Sequence, residues 1–424
     1  MSQMHITLHC VTFLTQYCFT QGGFQMKFLL ISALLLSFVT HAHALQNSNN
    51  TVVLISLDGF RWDYIEKHGA KNLAKIAKQG VRGSKMQPVY PTKTFPNHLS
   101  IITGLLPINH GVVDNRFCDT KRAECYSMGK GRDDSTWFNG IPLWNLATMQ
   151  GLKSATYFWP ESDARFNGMT PDYYYHYSKH SDYQNRIEQI IQWLKLPAPQ
   201  RPQLVISYFS LVDSIGHKYG PDAEQTKQAV QQVDALMGQL QQRLDALEQE
   251  INLVIVSDHG MSTVEPNQSI AISNLPKDDK FMVKNTGPRV LIYANENTTA
   301  ADISSYKARL SKAAKGRYTV LTDNQRAQYH YQNNGRTGDI ILQTTAPRSF
   351  ADSGEVNYLG THGYAYSDDM AATFIATGPA FKQGITLDKV NNLDIYPLIA
   401  KVLGIELLSK IDSDGATLWP ALKN

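Results

Sequence analysis

Cysteine is scarce in this chain, and its placement narrows the chemistry. Of four cysteines in 424 residues, Cys10 and Cys18 lie ahead of an apolar leader, which leaves Cys118 and Cys125 for the rest. Two thiols at that spacing match no CxxC knuckle and cannot alone close a zinc site, so a short-loop disulfide is expected. An excess of one charge is also missing: 40 Lys and Arg face 37 Asp and Glu. With no basic stripe interleaved with aromatics, binding to a nucleic-acid polymer is not expected. Low-complexity tracts and internal repeats are absent too, and 42% of the residues are hydrophobic. A folded protein with a large core follows.

No apolar run is long enough for a comfortable membrane span. The one candidate, MKFLLISALLLSFVTHAHA from Met26, has a lysine, then an apolar stretch, then Ala42-His43-Ala44. This is the pattern of an export signal cleaved after Ala44, not of a stable anchor. Met26 is then the expected start, and residues 1–44 are set aside as extension and leader. Residues 45–424 form the expected catalytic domain, and the expected location is secreted, in the periplasm.

Three short runs rich in Val and Ile lack the alternation of half-exposed strands: TVVLISLDGF from Thr51, QLVISYFSLVD from Gln203 and INLVIVSDHG from Ile251. Parallel strands buried on both faces read this way. Each run ends at an aspartate, Asp58, Asp213 and Asp258, and ligands of open α/β sheets gather beyond the carboxyl ends of strands. Between the second and third runs, Val230, Val233, Met237, Leu240, Leu244 and Leu247 recur at helical spacing, as in a helix covering a sheet. Further helices are expected through NHLSIITGLL, YQNRIEQIIQWLKL, ADISSYKARLSKAAK and DIYPLIAKVLGI. The class is α/β, a mostly parallel central sheet flanked by helices. The stretch from about 265 to 360 has a different texture and reads as a small inserted cap.

Candidate chemistry lies in carboxylate–histidine pairs. Asp213 and His217 are four apart and would share one side of a helical turn; Asp258 and His259 are adjacent ahead of Gly260. Together they suit zinc better than magnesium, which prefers oxygen alone. His362 stands between glycine-rich flanks in GTHGY. Each feature alone has a plain structural explanation as a turn residue, surface histidine or strand exit, and so do Asp58 before Gly59 and Asn115 in HGVVDN. Thr94, in YPTKTFPNHLSIITG, raises the same choice, since Thr94, Asn97 or Ser100 could simply cap the helix that follows.

Six ordered motifs, LISLDGFRWDY, PTKTFPNHLSIITGLLPINHGVVDN, GLKSATYFWPESD, VDSIGHKYGP, VSDHGM and THGY, closely resemble those of the nucleotide pyrophosphatase/phosphodiesterase family of the alkaline phosphatase superfamily. The resemblance runs from Thr51 onward. It implies two Zn2+ ions near each other at the carboxyl end of the sheet. Asp213, His217 and His362 would hold one; Asp58, Asp258 and His259 would hold the other, which Thr94 also touches. Thr94 would be the nucleophile, forming a phosphothreonine intermediate later released as a nucleoside 5′-monophosphate. Asn115 would donate to a nonbridging phosphoryl oxygen, and Phe95 with Tyr208 would sandwich the base.

Two departures from the resemblance bear on substrate choice. Ser210-Leu211-Val212 precedes Asp213 where many relatives carry acidic residues and a proline, and HGYAYSDDM after His362 is less typical. Lysophospholipid and choline-phosphate diesterases share this core, and a phosphomonoesterase of the superfamily is a further alternative, although no arginine or third-metal signature for a dianionic phosphate is evident. A non-enzymatic relative that only binds nucleotides is the remaining class.

Overall fold

The computed structural model describes residues 50–423, all within one compact unit. The leader read in residues 26–44 lies outside the described residues. Twelve strands build the two larger sheets: β1 Thr51–Leu57, β2 Val81–Gly83, β3 Ser154–Tyr157, β4 Tyr173–Tyr174, β5 Leu204–Phe209, β6 Ile251–Val256, β7 Phe281–Asn285, β8 Arg289–Ala294, β9 Thr319–Val320, β10 Ile340–Gln343, β11 Phe374–Thr377 and β12 Ile385–Leu387. Seven helices accompany them: α1 Lys71–Gln79, α2 Thr94–Thr103, α3 Tyr183–Leu194, α4 Leu211–Tyr219, α5 Glu224–Asp245, α6 Ala300–Ala314 and α7 Ile395–Leu403.

The main sheet has eight strands in the order β12-β2-β11-β6-β1-β5-β3-β4. Strands β6, β1, β5, β3 and β4 run parallel; β11 is antiparallel to both β6 and β2, so the sheet is mixed but mostly parallel. The burial explains the unbroken apolar runs. On β1, Val53, Ile55 and Leu57 face one core while Val52 and Leu54 face the other. A strand buried on both faces has no polar side to alternate.

Helices supply both covers. Val230, Val233, Met237 and Leu240 of α5 pack on one face with Leu73 and Ile76 of α1 and Ile187, Ile190 and Ile191 of α3. On the other face lie Leu99 and Ile102 of α2 with Leu398 and Ile399 of α7. Although α5 links β5 to β6 in the chain, β1 lies between those strands in the sheet. No helix among the described residues is long and apolar enough to cross a membrane.

The 265–360 segment carries a second, antiparallel sheet, β7-β8-β10-β9. One face closes a core of its own around Phe281, Val290, Ile292, Tyr306 and Leu310. On the other face Leu291, Tyr293 and Ile341 join the main core. The alternation along β8 therefore divides one strand between two cores.

Candidate metal and nucleophile site

Register assembles the site. With Leu57 level with Phe209 and Ser56 level with Val256, the carboxyl ends of β1, β5 and β6 leave the sheet together. Asp58 follows β1 and Asp258 follows β6 after a single serine, and both are buried. Asp213 differs from the sequence expectation. Strand β5 stops at Phe209, and Asp213 sits in the first turn of α4. Its backbone N–H donates to the Asp58 carbonyl at 3.1 Å, which brings the two carboxylates to one level despite the intervening turn.

Within α4, His217 stands one turn beyond Asp213, with Nε2 at 3.4 Å from Asp213 Oδ1. His362 Nε2 reaches the same oxygen at 3.7 Å. His259 Nε2 lies 2.9 Å from Asp258 Oδ2 and 3.5 Å from Asp58 Oδ1. Two groups could hold a metal ion: Asp58, Asp258 and His259, and beside them Asp213, His259 and His362. The second grouping departs from the expected division, because the His259 ring stacks on His362 at 3.4 Å and falls within reach of both groups. His217 remains adjacent through Asp213.

The donors suit cations in a specific way. Asp58 Oδ1, Asp213 Oδ1 and Asp258 Oδ2 are buried and without a hydrogen-bond partner, and an orphaned buried carboxylate oxygen costs heavily unless a positive charge meets it. The histidines are prepared in the same sense. Nδ1 of His217, His259 and His362 each lies 2.8 Å from a backbone carbonyl, of Gly360, Gly260 and Thr92 respectively. A carbonyl accepts only, so each Nδ1 carries the proton and donates. The three Nε2 lone pairs are thereby left for a ligand, the usual preparation of metal-binding histidines.

Electrostatics agrees. Burial and the neighbouring Asp258 and Asp213 carboxylates raise the Asp58 carboxyl well above its usual range. Burial, with His259 and Lys93 nearby, holds His362 well below the ordinary imidazole range and keeps it neutral. His259 is raised: burial lowers it, but the Asp258 carboxylate beside it more than offsets this. Three carboxylates converging on few positive charges make a site that binds cations.

Thr94 opens α2, and none of the three expected residues caps that helix. The N-cap position is Lys93 and makes no side-chain cap. Asn97 instead ties down the preceding loop. Its Oδ1 accepts from the Val89 N–H at 2.8 Å, and its Nδ2 donates to the Pro91 and Lys93 carbonyls at 2.9 Å. Ser100 donates to the Leu105 carbonyl at the far end. With the loop held this way, Thr94 is buried with Oγ1 3.3 Å from His259 Nε2. A hydroxyl at a helix N-terminus beside a cation site is placed to receive an anionic group.

Asn115 faces the same spot. Its Oδ1 accepts from the Phe95 N–H at 2.9 Å, which fixes the amide orientation and leaves Nδ2 to donate elsewhere. The Asn115 loop is anchored from the second sheet: Arg289 of β8 pairs with Asp114, both fully buried. Replacing Arg289 with Met should cost about 3–5 kcal/mol of stability, since the Asp114 carboxylate would lose its buried partner. Denaturant unfolding checks this; a loss under about 1 kcal/mol would show that the pair does not anchor the loop. Cys118 and Cys125 form a disulfide directly across the hairpin that follows.

Phe95 is half-buried, its ring 6.5 Å from Tyr126. Tyr208 is buried, and its hydroxyl donates to Asp58 Oδ2. Two residues at the site escaped the sequence analysis. Lys93 is buried, and burial pushes its ammonium down to about 8; its place beside Thr94 in the motif was the available signal. Tyr177 is 53% exposed and 6.3 Å from Tyr208; the run YYYHY hid it among neighbouring tyrosines. A cleft of about 540 Å3 lined by Lys93, Asn115, Arg116, His217, Thr286 and Tyr358 opens beside the site. A groove of about 830 Å3 elsewhere, around Lys78, Leu244, Ile251 and Thr377, holds none of the carboxylate–histidine set.

Comparison with known proteins agrees with this geometry. Residues 52–365 match the sequence model of the family described as type I phosphodiesterase / nucleotide pyrophosphatase. Human ectonucleotide pyrophosphatase/phosphodiesterase family member 1 is 34% identical over 368 residues, 83% of this chain and 40% of its own. The venom phosphodiesterase of Naja atra is 31% identical over 367 residues, 84% of this chain and 44% of its own. The chain thus spans about two fifths of the length of these curated relatives. Among solved structures, human ectonucleotide pyrophosphatase/phosphodiesterase 5 superposes with a TM-score of 0.82 at 28% identity, covering 88% of this chain and all of that one. The murine counterpart, in an inactive threonine-to-alanine form in complex with AMP, gives 0.81 at 27% identity over the same shares. With a match over most of its length and the mixed sheet of these structures, the chain belongs to the type I phosphodiesterase/nucleotide pyrophosphatase family of the alkaline phosphatase superfamily.

Proposed function

We propose that this protein hydrolyses nucleotide phosphodiester or pyrophosphate bonds to nucleoside 5′-monophosphates, with zinc in both metal groups and Thr94 as nucleophile. The observation that carries this reading is the convergence of Thr94 Oγ1, 3.3 Å from His259 Nε2, on three buried carboxylate oxygens that lack partners. Mixed oxygen and nitrogen donors favour zinc over magnesium or calcium. When bound, the ions supply Lewis-acid stabilisation of charge on the phosphoryl group and a lower pKa for a bound hydroxyl.

The chain's own residues do the rest. Lys93 and Asn115 draw the phosphoryl group over the N-terminus of α2, and the Asn115 Nδ2 donates to a nonbridging oxygen, stabilising charge that grows in the transition state. Thr94 Oγ1 attacks phosphorus in line with the leaving group, forming a phosphothreonine diester as the bond to the leaving oxygen breaks, and the proton lost by Thr94 is balanced by the one taken up by the departing group from water. Water then attacks the same phosphorus, releasing a nucleoside monophosphate and restoring the hydroxyl. Half-buried Phe95 offers a face for the base, as stacking tolerates any base. The AMP bound by the murine relative supports a nucleoside monophosphate as the retained product. The Cys118–Cys125 disulfide supports export to an oxidising compartment, in keeping with a periplasmic location.

The test is hydrolysis of the p-nitrophenyl ester of thymidine 5′-monophosphate beside p-nitrophenyl phosphate and p-nitrophenyl phosphorylcholine. The nucleotide diester should be preferred by at least about 10²-fold in kcat/KM, about 2.7 kcal/mol of differential transition-state binding. Preference for the monoester would overturn the diesterase reading. Preference for the choline diester would move the substrate class to phospholipid head groups.

A further inference from the structure

We infer that Tyr208 is a positioning residue for the Asp58–Asp258–His259 metal group, acting through its hydroxyl on Asp58; the inference rests on the two-metal reading above. In each of this group's carboxylates one oxygen is tethered and the other is left for a cation. Asp258 Oδ1 accepts from the Gly59 N–H at 3.2 Å, while its Oδ2 has no hydrogen-bond partner. Asp58 repeats the pattern: Oδ2 accepts from the Tyr208 hydroxyl, and Oδ1 is buried without a partner. Tyr208 makes the only side-chain hydrogen bond to Asp58 among the described residues. Without it, the carboxylate would be free to rotate about its terminal bond.

The surroundings make Tyr208 a rigid donor. It lies level with Ser56 in the paired β1 and β5, two residues before Asp58 on the neighbouring strand. The residue is 8% exposed, and its ring stands edge-on to His98 at 5.3 Å. His98 is itself held at both nitrogens, by Ser56 Oγ at 2.7 Å and the Thr94 carbonyl at 2.8 Å, with Nδ1 3.3 Å from Asp258 Oδ2. A ring so enclosed presents little face to a base. A phenol also adds no charge, so it fixes Asp58 without competing with the cation as Lys or Arg would.

The experiment compares wild type with Tyr208→Phe, which keeps the ring and removes the hydroxyl. Both are loaded with two equivalents of zinc, and the folded fraction from size-exclusion chromatography is titrated with a chelator of known zinc affinity, with metal per chain read by mass spectrometry. Hydrolysis of the nucleotide p-nitrophenyl ester is followed in parallel in excess zinc. Wild type should hold two ions. The variant should release one of them with an affinity about 10- to 100-fold weaker, the usual cost of losing an outer partner of a metal ligand, while KM in excess zinc changes by less than about twofold. Equal retention of both ions would overturn the inference alone, as would equal retention with a KM raised about tenfold, which would assign Tyr208 to substrate. A wild type that binds fewer than two ions would instead overturn the metal reading beneath it.

Discussion

Thr94→Ala should lower kcat for a nucleotide diester by at least about 10⁴-fold, the scale of loss when a covalent nucleophile is removed from an otherwise intact site. The size of the effect follows from the geometry. Among the described residues, Thr94 is the only hydroxyl within hydrogen-bonding distance of His259 Nε2, and a water in its place would have neither the helix N-terminus behind it nor the fixed loop made by Asn97. Removing one methyl and one hydroxyl from a site at the edge of the core leaves the packing of α2 largely intact. The variant should therefore keep its metal and its Tm within a few degrees. Stopped-flow and quenched assays with intact-mass detection provide the check. Wild type should show a transient mass increase matching a nucleotidyl adduct, and the alanine variant none. Residual turnover above about one tenth of wild type would remove Thr94 from the nucleophile's role. Thr94→Ser should recover much of the rate, because it restores the hydroxyl and loses only the methyl that limits rotation of χ1.

Metal removal is the second large effect. Dialysis against a chelator should reduce activity by at least about 10³-fold, and added zinc should restore it. The same treatment should lower stability. A ligand that binds only the folded state at 1,000 times its Kd contributes about 4 kcal/mol, and two such sites contribute independently only if they do not interact. Here they should interact: His259 belongs to both groups, and Asp58, raised first by burial, is raised further by Asp258 and by Asp213 of the other group. Losing one ion leaves its carboxylates uncompensated beside the other and frees the shared histidine, so the second should be held more tightly than an isolated ion would. Calorimetry on protein with two, one and no zinc equivalents tests this. A Tm that does not respond to metal would mean that the buried carboxylate oxygens are satisfied in some other way.

Much of the architecture was legible because its physical causes are local. Strands β1, β5 and β6 read as buried because both faces meet a core, which removes the alternation of polar residues. Helix α5 read as a helix from its 3.6-residue periodicity. The donors at the site were legible as types, since Asp and His at strand exits are few.

Other features were out of reach for stated reasons. The end of β5 at Phe209, rather than at Asp213, depends on where the neighbouring strands stop pairing. Asn97 resembles a cap in sequence, yet its hydrogen-bonding capacity goes to a loop whose path is set by contacts elsewhere. The partnership of Arg289 with Asp114 spans 175 positions in the chain, and no local pattern announces it. Tyr208 was given a stacking role only by the family resemblance; that its hydroxyl reaches Asp58 depends on the parallel register of β1 and β5.

By itself, then, the sequence determined which elements form and which chemical donors are present, because propensity, burial on two faces and helical periodicity act over a few residues. Only the tertiary structure decided which donors share a site and which oxygen of each carboxylate is free. That choice rests on three strands leaving the sheet at one level, on a helix turn that carries Asp213 back to Asp58, and on backbone carbonyls that hold each histidine's Nδ1 proton. These are relations between segments far apart in the chain, set by packing and register and not by any residue alone.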